Sequence, residues 1–246
     1  MKNQILDFKN YVLHVKPQEL KGDTAILLLH GFPSESFNGT DQEKNEDLLR
    51  YLSETTGLEA YLHHYNGLGK SNKGNFSFID SINDSLELTK LILLKHKNLI
   101  LIGHSWGGWV AMNCINNLSR SIKKLILLSP LNAIPNTESL ESIMESIKKD
   151  FPYLTQDKPV SEFVKDLEKV NITHNPRQCI NNIDSDSKIY IIQANDDQEV
   201  PRQTTDEFQN LFGLNCTYDV MDTDHSFIKN RFEMFNKCRN FIINNA

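Results

Sequence analysis

The sequence is poor in cysteine, and its few cysteines are far apart. Its 246 residues include four of them, Cys114, Cys179, Cys216 and Cys238, with no Cys-x-x-Cys pair. Such scattered residues fit reduced thiols better than a disulfide framework or a zinc site. The chain is long enough to be stabilised by a hydrophobic core alone, as one large domain or two small ones.

Long apolar runs and an excess of positive charge are also missing. Runs such as AILLL at residues 25–29 are much too short to cross a bilayer, and the first twelve residues, MKNQILDFKNYV, contain no apolar segment of the signal-peptide kind. We therefore expect a cytoplasmic protein with no membrane span. Lys and Arg number 26 against 32 Asp and Glu, a formal net charge of −6 with both signs interspersed. This balance argues against a nucleic-acid partner.

The signatures of metal and redox cofactors are absent from the sequence. It has no His-Glu-x-x-His, no paired ligand spacing and no dinucleotide-binding fingerprint. A Gly-x-Gly occurs in YNGLGKS at residues 65–71, but the Gly-x-x-x-x-Gly-Lys of a phosphate-binding loop does not. We therefore expect neither a metal nor a cofactor.

Short β-type runs alternate with longer segments of helical periodicity. This alternation predicts a mainly parallel sheet that is covered by helices on both faces. The predicted strands are NYVLHV (10–15), TAILLLH (24–30), EAYLHHY (59–65), NLILIG (98–103), KLILLS (124–129), KIYIIQA (188–194) and CTYDVM (216–221). Helices are expected at 40–57, with Gly57 as a C-cap, at 79–97, directly after Ser105, at 201–213 and at 226–245.

The stretch from Leu131 to Ser187 interrupts this alternation. It holds two polar amphipathic segments and several prolines, and it contains no convincing strand. An insertion of this size between two strands usually forms helices over the edge of the sheet. We therefore predict a core formed by residues 1–130 and 188–246 and a small helical cap formed by residues 131–187.

A candidate nucleophile lies in Gly103-His104-Ser105-Trp106-Gly107, which has the pattern Gly-x-Ser-x-Gly. An apolar strand precedes it and a helix-compatible segment follows, as in a nucleophile elbow. Glycines two residues on either side of the serine relieve the crowding of so sharp a turn. Ser105 would then stand at the carboxyl end of the sheet, where the N–H of Trp106 can stabilise an oxyanion. The alternative is a simple tight turn.

A serine nucleophile needs a histidine base and a carboxylate that orients it. Among eight histidines, His225 in MDTDHSF is the best placed, between the last predicted strand and the last helix. A surface loop histidine is the alternative there. His63 and His64 are adjacent in a strand and point to opposite faces, so they cannot act as a pair. The remaining positions favour structural or solvated roles for His14, His96 and His174.

The carboxylate is expected in the loop NDDQEVP after the strand KIYIIQA, which offers Asp196 and Asp197. With this loop, the chain resembles the α/β-hydrolase family, in its capped serine esterase, thioesterase and peptidase branch. The resemblance rests on a strand followed by His-Gly, on Gly-His-Ser-Trp-Gly-Gly, on the acidic turn before Val-Pro and on a late His-Ser-Phe. Family members often carry Gly-x-x-Asp-x-x-Val-Pro here, which residues 194–201 match if Ala194 replaces the glycine. This register selects Asp197, and Asp196 stays the alternative.

The resemblance implies an α/β-hydrolase fold, with a mainly parallel central sheet, flanking helices and the small helical cap. It also implies that His30-Gly31-Phe32 is the oxyanion loop, in which the Phe32 N–H is the second donor beside that of Trp106. His30 is then expected to pack behind the nucleophile rather than to act as a base. Residues 33–34, Pro-Ser, either shape the mouth of the site or form a simple loop.

The function that we expect is a serine hydrolase that cleaves a short to medium acyl ester or thioester through an acyl-enzyme intermediate. Its partner is a small-molecule acyl substrate. A proline-releasing aminopeptidase is the enzymatic alternative, because Gly-His-Ser-Trp-Gly-Gly also occurs in that group. A protein of another class, a non-catalytic ligand-binding relative, is the third possibility, since function resides in the site and not in the fold. A dehalogenase is disfavoured, because that branch needs an aspartate where this chain has Ser105.

The cap is expected to set the size of the substrate. Its apolar residues at roughly helical spacing are candidates to line an acyl pocket above Ser105. These candidates are Ile143, Ile147, Phe163 and Leu167. The alternative is that they only fasten the cap to the core.

Overall fold

The apolar runs of the sequence form the strands of one sheet. The computed structural model describes residues 2–32, 40–68, 70–71, 75–134, 137–151 and 158–244. The strands in it are β1 (Lys2–Asp7), β2 (Tyr11–Lys16), β3 (Thr24–Leu29), β4 (Glu59–His64), β5 (Asn98–His104), β6 (Ile122–Leu128), β7 (Lys188–Ala194) and β8 (Cys216–Met221). Their order in the sheet is β1-β2-β4-β3-β5-β6-β7-β8. The pairs β1–β2 and β2–β4 are antiparallel, and all other neighbours are parallel.

The seven predicted strands are confirmed as β2 to β8, and β1 is an addition. Its sequence, KNQILD, has no apolar alternation, and Lys2 to Ile5 are exposed. An edge strand pairs on one side only and can be solvated on its faces, so it lacks the apolar pattern of a central strand. Its pairing with β2 therefore depends on backbone hydrogen bonds that residue type does not reveal.

The helices lie between the strands as the alternation predicts. They are α1 (Thr40–Thr56), α2 (Phe78–Leu93), α3 (Trp106–Leu118), α4 (Thr137–Asp150), α5 (Val160–Thr173), α6 (Pro176–Cys179), α7 (Arg202–Asn210) and α8 (Arg231–Ile243). Gly57 ends α1 with φ +72°, a conformation that favours glycine. Within the described ranges, no helix combines the length and the apolar character that crossing a membrane requires.

The last helix begins later than the sequence indicated. Helical periodicity was expected from residue 226, but α8 starts at Arg231. Phe227 has φ +56° and its side chain is fully buried, so the segment before α8 is a turn rather than a helix. This turn follows His225 directly and fixes the chain on the carboxyl side of that residue.

Alternating residues of the central strands face two separate layers. Leu27, Leu101 and Leu125 pack in the cluster that includes α2 and α3, whereas Ile26 and Ile100 pack on the opposite face with α1 and α8. These strands are buried on both faces, as expected when helices cover both sides of a parallel sheet. The sheet thereby becomes a rigid support for the loops at its carboxyl edge.

The segment 131–187 carries α4, α5 and α6, and its described part contains no strand. The Asp166 carboxylate on α5 accepts hydrogen bonds from Ser77 Oγ at 3.1 Å and from the Phe78 N–H at 2.7 Å, which caps α2. Asn113 on α3 donates to the carbonyl of His174 at 2.9 Å. The segment is therefore attached to α2 and α3, the two helices nearest the elbow.

Candidate active site

Ser105 lies on a sharp turn between β5 and α3. Its backbone has φ +52° and ψ −119°, which is a strained conformation for a residue with a side chain. A Cβ atom on Gly107 would lie 1.9 Å from the carbonyl oxygen of Leu29, and one on Gly103 would lie 2.4 Å from that of Gly107. Both glycines are therefore required for β5, α3 and β3 to approach closely enough to form the turn.

The sheet register brings the remaining loops to the same edge. Leu29 is paired with Gly103, and His104 with Leu128, so residues 30–32 and 129–131 emerge beside Ser105. Further along, Ala194 pairs with Met221, which places the loops after β7 and β8 side by side. Because carboxyl ends of parallel strands meet at one edge, residues far apart in sequence converge there.

Asp197 and His225 form a buried hydrogen-bonded pair. The distance between Asp197 Oδ2 and His225 Nδ1 is 2.8 Å, and the Asp197 side chain has no exposed surface. The other carboxylate oxygen, Oδ1, accepts the backbone N–H groups of Glu199 at 3.0 Å and Val200 at 2.8 Å. Gln193 Nε2 donates to Oδ2 at 3.2 Å. These hydrogen bonds fix the orientation of the carboxylate.

Asp197 is held in its charged form. Burial alone raises the pKa of Asp197, but the hydrogen bond and charge of His225, together with the Val200 N–H and the Ser129 hydroxyl, outweigh burial and lower the pKa below its ordinary value. Asp196, the alternative acid, is exposed and bonds to Lys229 Nζ at 3.0 Å. The structure thus brings Asp197, and not Asp196, to His225.

His104 connects this pair to the elbow. Its Nε2–H donates to the backbone carbonyl of His225 at 2.9 Å, and the two ring centroids are 4.9 Å apart. Burial, with the nearby Lys44 ammonium and the His225 ring, lowers the pKa of His104 well below its ordinary range. His104 is therefore neutral, and it supports the His225 loop next to Ser105.

The two backbone N–H groups expected from the sequence to act as oxyanion donors belong to Trp106 and Phe32, which lie next to Ser105. Trp106 is the first residue of α3, where backbone N–H groups have no partner within the helix. A Cβ on Gly31 would lie 3.1 Å from Ser105 Cβ, which places Gly31 and the residue after it, Phe32, close to Ser105. The Phe32 ring packs on Phe76 at a centroid distance of 4.8 Å, so this part of the loop is anchored. The Pro-Ser at residues 33–34 lies outside the described residues.

The other histidines near this edge have structural surroundings. His30 is 7% exposed, its Nδ1 donates to the Gly31 carbonyl at 2.7 Å, and its ring packs on Tyr65 at 4.5 Å. Burial lowers the pKa of His63 to about 3 and that of His64 to about 2, so both stay neutral. These contacts agree with packing roles.

The two tryptophans of α3 are part of the core. Trp109 is fully buried and stacks on Trp106 with ring centroids 5.6 Å apart. Trp106 Nε1 donates to Ser81 Oγ on α2 at 3.0 Å. The indole of Trp106 therefore secures the start of α3, while its backbone N–H remains at the elbow.

The four apolar cap candidates occupy different surroundings. Phe163 and Leu167 are 4% and 3% exposed and belong to the same apolar cluster as Trp109. Ile147 is half-buried against that cluster, and Ile143 is 42% exposed. Phe163 and Leu167 expose too little surface to contact a ligand in this conformation, and their packing fastens α5 to the core.

A cleft of about 540 Å³ lies at the other end of the sheet, where His14, Glu59 and His96 line it. His14 Nε2 and Glu59 Oε2 are 2.8 Å apart, and the His14 ring stacks on Tyr61 at 4.3 Å. Glu59 begins β4, so this cleft is at the amino ends of the parallel strands. It is therefore remote from Ser105, and His14 is not a candidate base.

Three polar groups at the site were not predicted from the sequence: Ser129, Gln193 and Glu199. Gln193 could have been found from the sequence, because it is the one strongly polar side chain in the otherwise apolar part of KIYIIQA. In the structure it is fully buried. Glu199 lies with Oε2 3.4 Å from His225 Nε2. In the described part of the chain, no group of three or more His, Cys, Asp or Glu side chains is arranged to hold a metal ion.

The sheet, the sharp turn at Ser105 and the Asp197–His225 pair are arranged as in an α/β-hydrolase. The alpha/beta hydrolase fold family matches residues 24–169, more than half of the chain, and the chain belongs to this family. The structure is similar to that of the esterase EaEST from Exiguobacterium antarcticum, with 18% identity, a TM-score of 0.72 and 98% of each chain covered.

Two further solved structures are similar in fold. Est1E from Butyrivibrio proteoclasticus has 14% identity and a TM-score of 0.69, covering 99% of this chain and 98% of that one. A bromoperoxidase from Bacillus anthracis has 13% identity and a TM-score of 0.65, covering 98% of this chain and 99% of that one. No curated protein matches the sequence. Because neighbours with such different names share the fold, the activity has to be argued from the site.

Proposed function

We propose that the chain is a serine hydrolase that cleaves a short to medium acyl ester or thioester through an acyl-enzyme intermediate. The observation that carries this proposal is the 2.8 Å Asp197–His225 pair, which His104 connects to the elbow of Ser105. In this proposal, Ser105 Oγ attacks the carbonyl carbon while His225 Nε2 accepts its proton. Asp197 holds the correct tautomer and stabilises the imidazolium.

The N–H groups of Phe32 and Trp106 are the proposed oxyanion hole. They would donate to the negative oxygen of the tetrahedral intermediate, which is where such donors lower the barrier most. The imidazolium Nε2–H then protonates the departing oxygen or sulfur, and the acyl-enzyme remains on Ser105. Water that loses its proton to His225 attacks the acyl carbon, and the acid leaves with Ser105 regenerated. These reaction steps need a small-molecule substrate and no cofactor.

We place the limit on acyl length in the cap. Of the four candidates, Ile147 is the one whose half-buried side chain both contacts the core and keeps accessible surface. Each methylene that enters an apolar pocket contributes up to about 0.8 kcal/mol, or roughly fourfold in kcat/KM, until the pocket is full. The modest size of the segment 131–187 supports a short to medium optimum.

The experiment is a p-nitrophenyl ester series from acetate to dodecanoate, run beside prolyl and other aminoacyl arylamides. We expect kcat/KM to rise over the short chains and then to fall. Ser105→Ala, analysed in parallel for folding by circular dichroism, is the control for hydrolysis that does not depend on the site. A preference for the arylamides would overturn the esterase proposal in favour of the aminopeptidase alternative, and a long-chain optimum would overturn the small pocket.

A further inference from the structure

The cleft at the amino ends of the parallel strands has no part in the proposed chemistry. Its volume of about 540 Å³ is that of a small-molecule pocket. Two of its lining residues, His14 and His96, are buried, and the Glu59 carboxylate lies beside both of them. The rest of the lining includes three lysines and three leucines. The cleft lysines are Lys16, Lys95 and Lys97, and the cleft leucines are Leu20, Leu93 and Leu94.

Glu59, the acid on the buried side of the cleft, is compensated within the protein. Its Oε2 accepts the His14 Nε2–H at 2.8 Å and the Tyr61 hydroxyl at 3.0 Å, and Lys16 Nζ lies 3.8 Å from its Oε1. Burial raises the pKa of Glu59, but these hydrogen bonds and the nearby charges outweigh burial and lower the pKa below its ordinary value. The negative charge of Glu59 is therefore balanced by groups that the cleft already contains.

Lys95 and Lys97 have no comparable partner. Across the ranges that the structure describes, neither amine takes part in a hydrogen bond or an ion pair. Lys95 lies just after α2, where a cation can stabilise the helix by bonding its last carbonyls. The carbonyl of Ile92, however, accepts the backbone N–H groups of Lys95 at 2.9 Å and His96 at 3.0 Å. Neither amine is therefore used to cap α2, and both are available to a ligand.

The positive charges act on one region. Burial lowers the pKa of His14, and the charges of Lys16 and Lys95 lower it further, against the opposing effect of Glu59. Both amines are therefore close enough to His14 to influence it. Leaving the histidines aside, the lining carries three lysines against two carboxylates, those of Asp23 and Glu59, an excess of one positive charge in a chain whose formal net charge is −6. The charge of the cleft therefore favours an anion.

The cleft leucines supply apolar surface beside these charges. Leu94 is 82% exposed, Leu20 is 57% exposed and Leu93 is half-buried. Exposed apolar side chains that share one concave site are typical of a ligand-binding surface. The Lys97 N–H donates to the Asp23 carbonyl at 2.8 Å, so the two loops that meet here are held together by the protein itself. The cleft is therefore a preformed site with a cationic part and an apolar part.

We propose that this cleft binds an amphipathic monoanion, a carboxylate on a short to medium apolar chain. The amines of Lys95 and Lys97 bind the carboxylate, and the cleft leucines contact the chain. A single negative charge matches the excess charge of the lining, and a concave site fits a small molecule better than a flat lipid surface does. The inference goes beyond the proposed function and does not depend on it, because the cleft is remote from Ser105.

The test is a titration with octanoate, followed by the backbone amide shifts of Gly22 and Lys97, which both line the cleft. We expect saturable shifts. Octanamide, which has the same chain and a neutral head, should bind about fivefold more weakly, as for the loss of a partly exposed ion pair. Butyrate should bind at least about tenfold more weakly, because each methylene in contact with the leucines contributes up to about fourfold.

Two variants test the parts of the site separately. The double variant Lys95→Gln, Lys97→Gln should weaken octanoate about fivefold and octanamide hardly at all. Leu94→Ser should weaken both ligands about threefold. The matched controls are Lys123→Gln and Ile172→Ser, at an exposed lysine and a 74% exposed isoleucine that do not line the cleft. Both controls should bind octanoate as the wild type does.

Protein labelled by a fluorophosphonate separates the cleft from the candidate active site, where an acid product can also bind. Labelled protein should bind octanoate as tightly as unlabelled protein. Loss of binding on labelling, equal affinity for octanoate and octanamide, or unchanged affinity in the cleft variants would overturn the proposal. Binding to vesicles of phosphatidylcholine and phosphatidylserine in place of octanoate would overturn it in favour of a lipid surface. The cleft variants decide the proposal even without labelling of Ser105, a result that would contradict the proposed function alone.

Discussion

Replacing Asp197 by Asn tests how the acid controls the tautomer of His225. Asp197 Oδ1 accepts two backbone N–H groups, from Glu199 and Val200, so the amide oxygen of the asparagine has to occupy this position. The NH₂ group is then forced into the position of Oδ2, facing His225 Nδ1. A donor there makes Nδ1 an acceptor and puts the ring proton on Nε2. In that tautomer His225 cannot accept the proton of Ser105.

The expected magnitude follows from this forced orientation. The same Asp-to-Asn change in a serine protease lowers kcat by about 10⁴, equivalent to about 5.4 kcal/mol of barrier at 1.36 kcal/mol per factor of ten. In the wild type, Gln193 Nε2 donates to Asp197 Oδ2 at 3.2 Å. In the variant the NH₂ group takes the place of Oδ2, so two donors face each other and this hydrogen bond is lost as well. We therefore expect kcat for a p-nitrophenyl ester to fall by about 10³ to 10⁴, with a smaller effect on KM.

Asp196→Asn is the control for this measurement. It breaks only an exposed ion pair with Lys229, which is worth about 1 kcal/mol or less, so kcat should stay within about twofold of wild type. The measurement is kcat of both variants by steady-state kinetics, with circular dichroism to verify that each variant is folded. A folded Asp197→Asn protein with near wild-type kcat, or an Asp196→Asn protein that loses activity instead, would refute the reasoning.

Three further predictions concern the elbow, its support and the acid. Gly107→Ala should lower the free energy of unfolding, measured in urea, by about 3 kcal/mol or more, because its Cβ would lie 1.9 Å from the Leu29 carbonyl oxygen. Gly22→Ala is the control: Gly22 has φ +74° but open space around it, so this variant should lose only about 1 kcal/mol. Equal losses in the two variants would contradict the steric argument. His104→Phe removes the donor to the His225 carbonyl and should lower kcat about tenfold with little change in KM, and an unchanged kcat would exclude a positioning role. The pKa of Asp197 is lower in the folded chain than its ordinary value of 3.8, so its stabilising contribution is present above about pH 4 and is lost as the pH falls through the folded value. The difference in unfolding free energy between wild type and Asp197→Asn should therefore shrink between pH 5 and pH 2, and a difference independent of pH would show that Asp197 has no such role.

The parallel strands could be predicted because each is identified by residues that are adjacent in the sequence. Strands buried on both faces must be apolar throughout, so β3, β5, β6 and β7 stand out as runs of branched residues. The edge strand β1 and the start of α8 were not predictable in the same way. The first depends on backbone pairing with β2, and the second on a left-handed turn at Phe227 that tertiary packing imposes.

The candidate site was predictable to different degrees. Ser105 could be predicted because it lies between two glycines that the sharp turn requires. His225 could be predicted because it follows the last strand and precedes the last helix. The choice of Asp197 over Asp196 came from a family resemblance, since residue types alone do not fix the register of a loop. The approach of Glu199 to His225 depends on how the backbone after Asp197 turns, which the sequence does not specify.

The most direct test of the account is covalent labelling with a fluorophosphonate probe, followed by mass spectrometry of the digested protein. We expect one equivalent of probe on Ser105, with ester hydrolysis lost in proportion to labelling, and no labelling of a folded Ser105→Ala variant. Wild-type protein that is folded yet unlabelled, or Ser105→Ala protein that keeps wild-type esterase activity, would contradict the assignment of Ser105 as the nucleophile and favour a ligand-binding role or a different catalytic group.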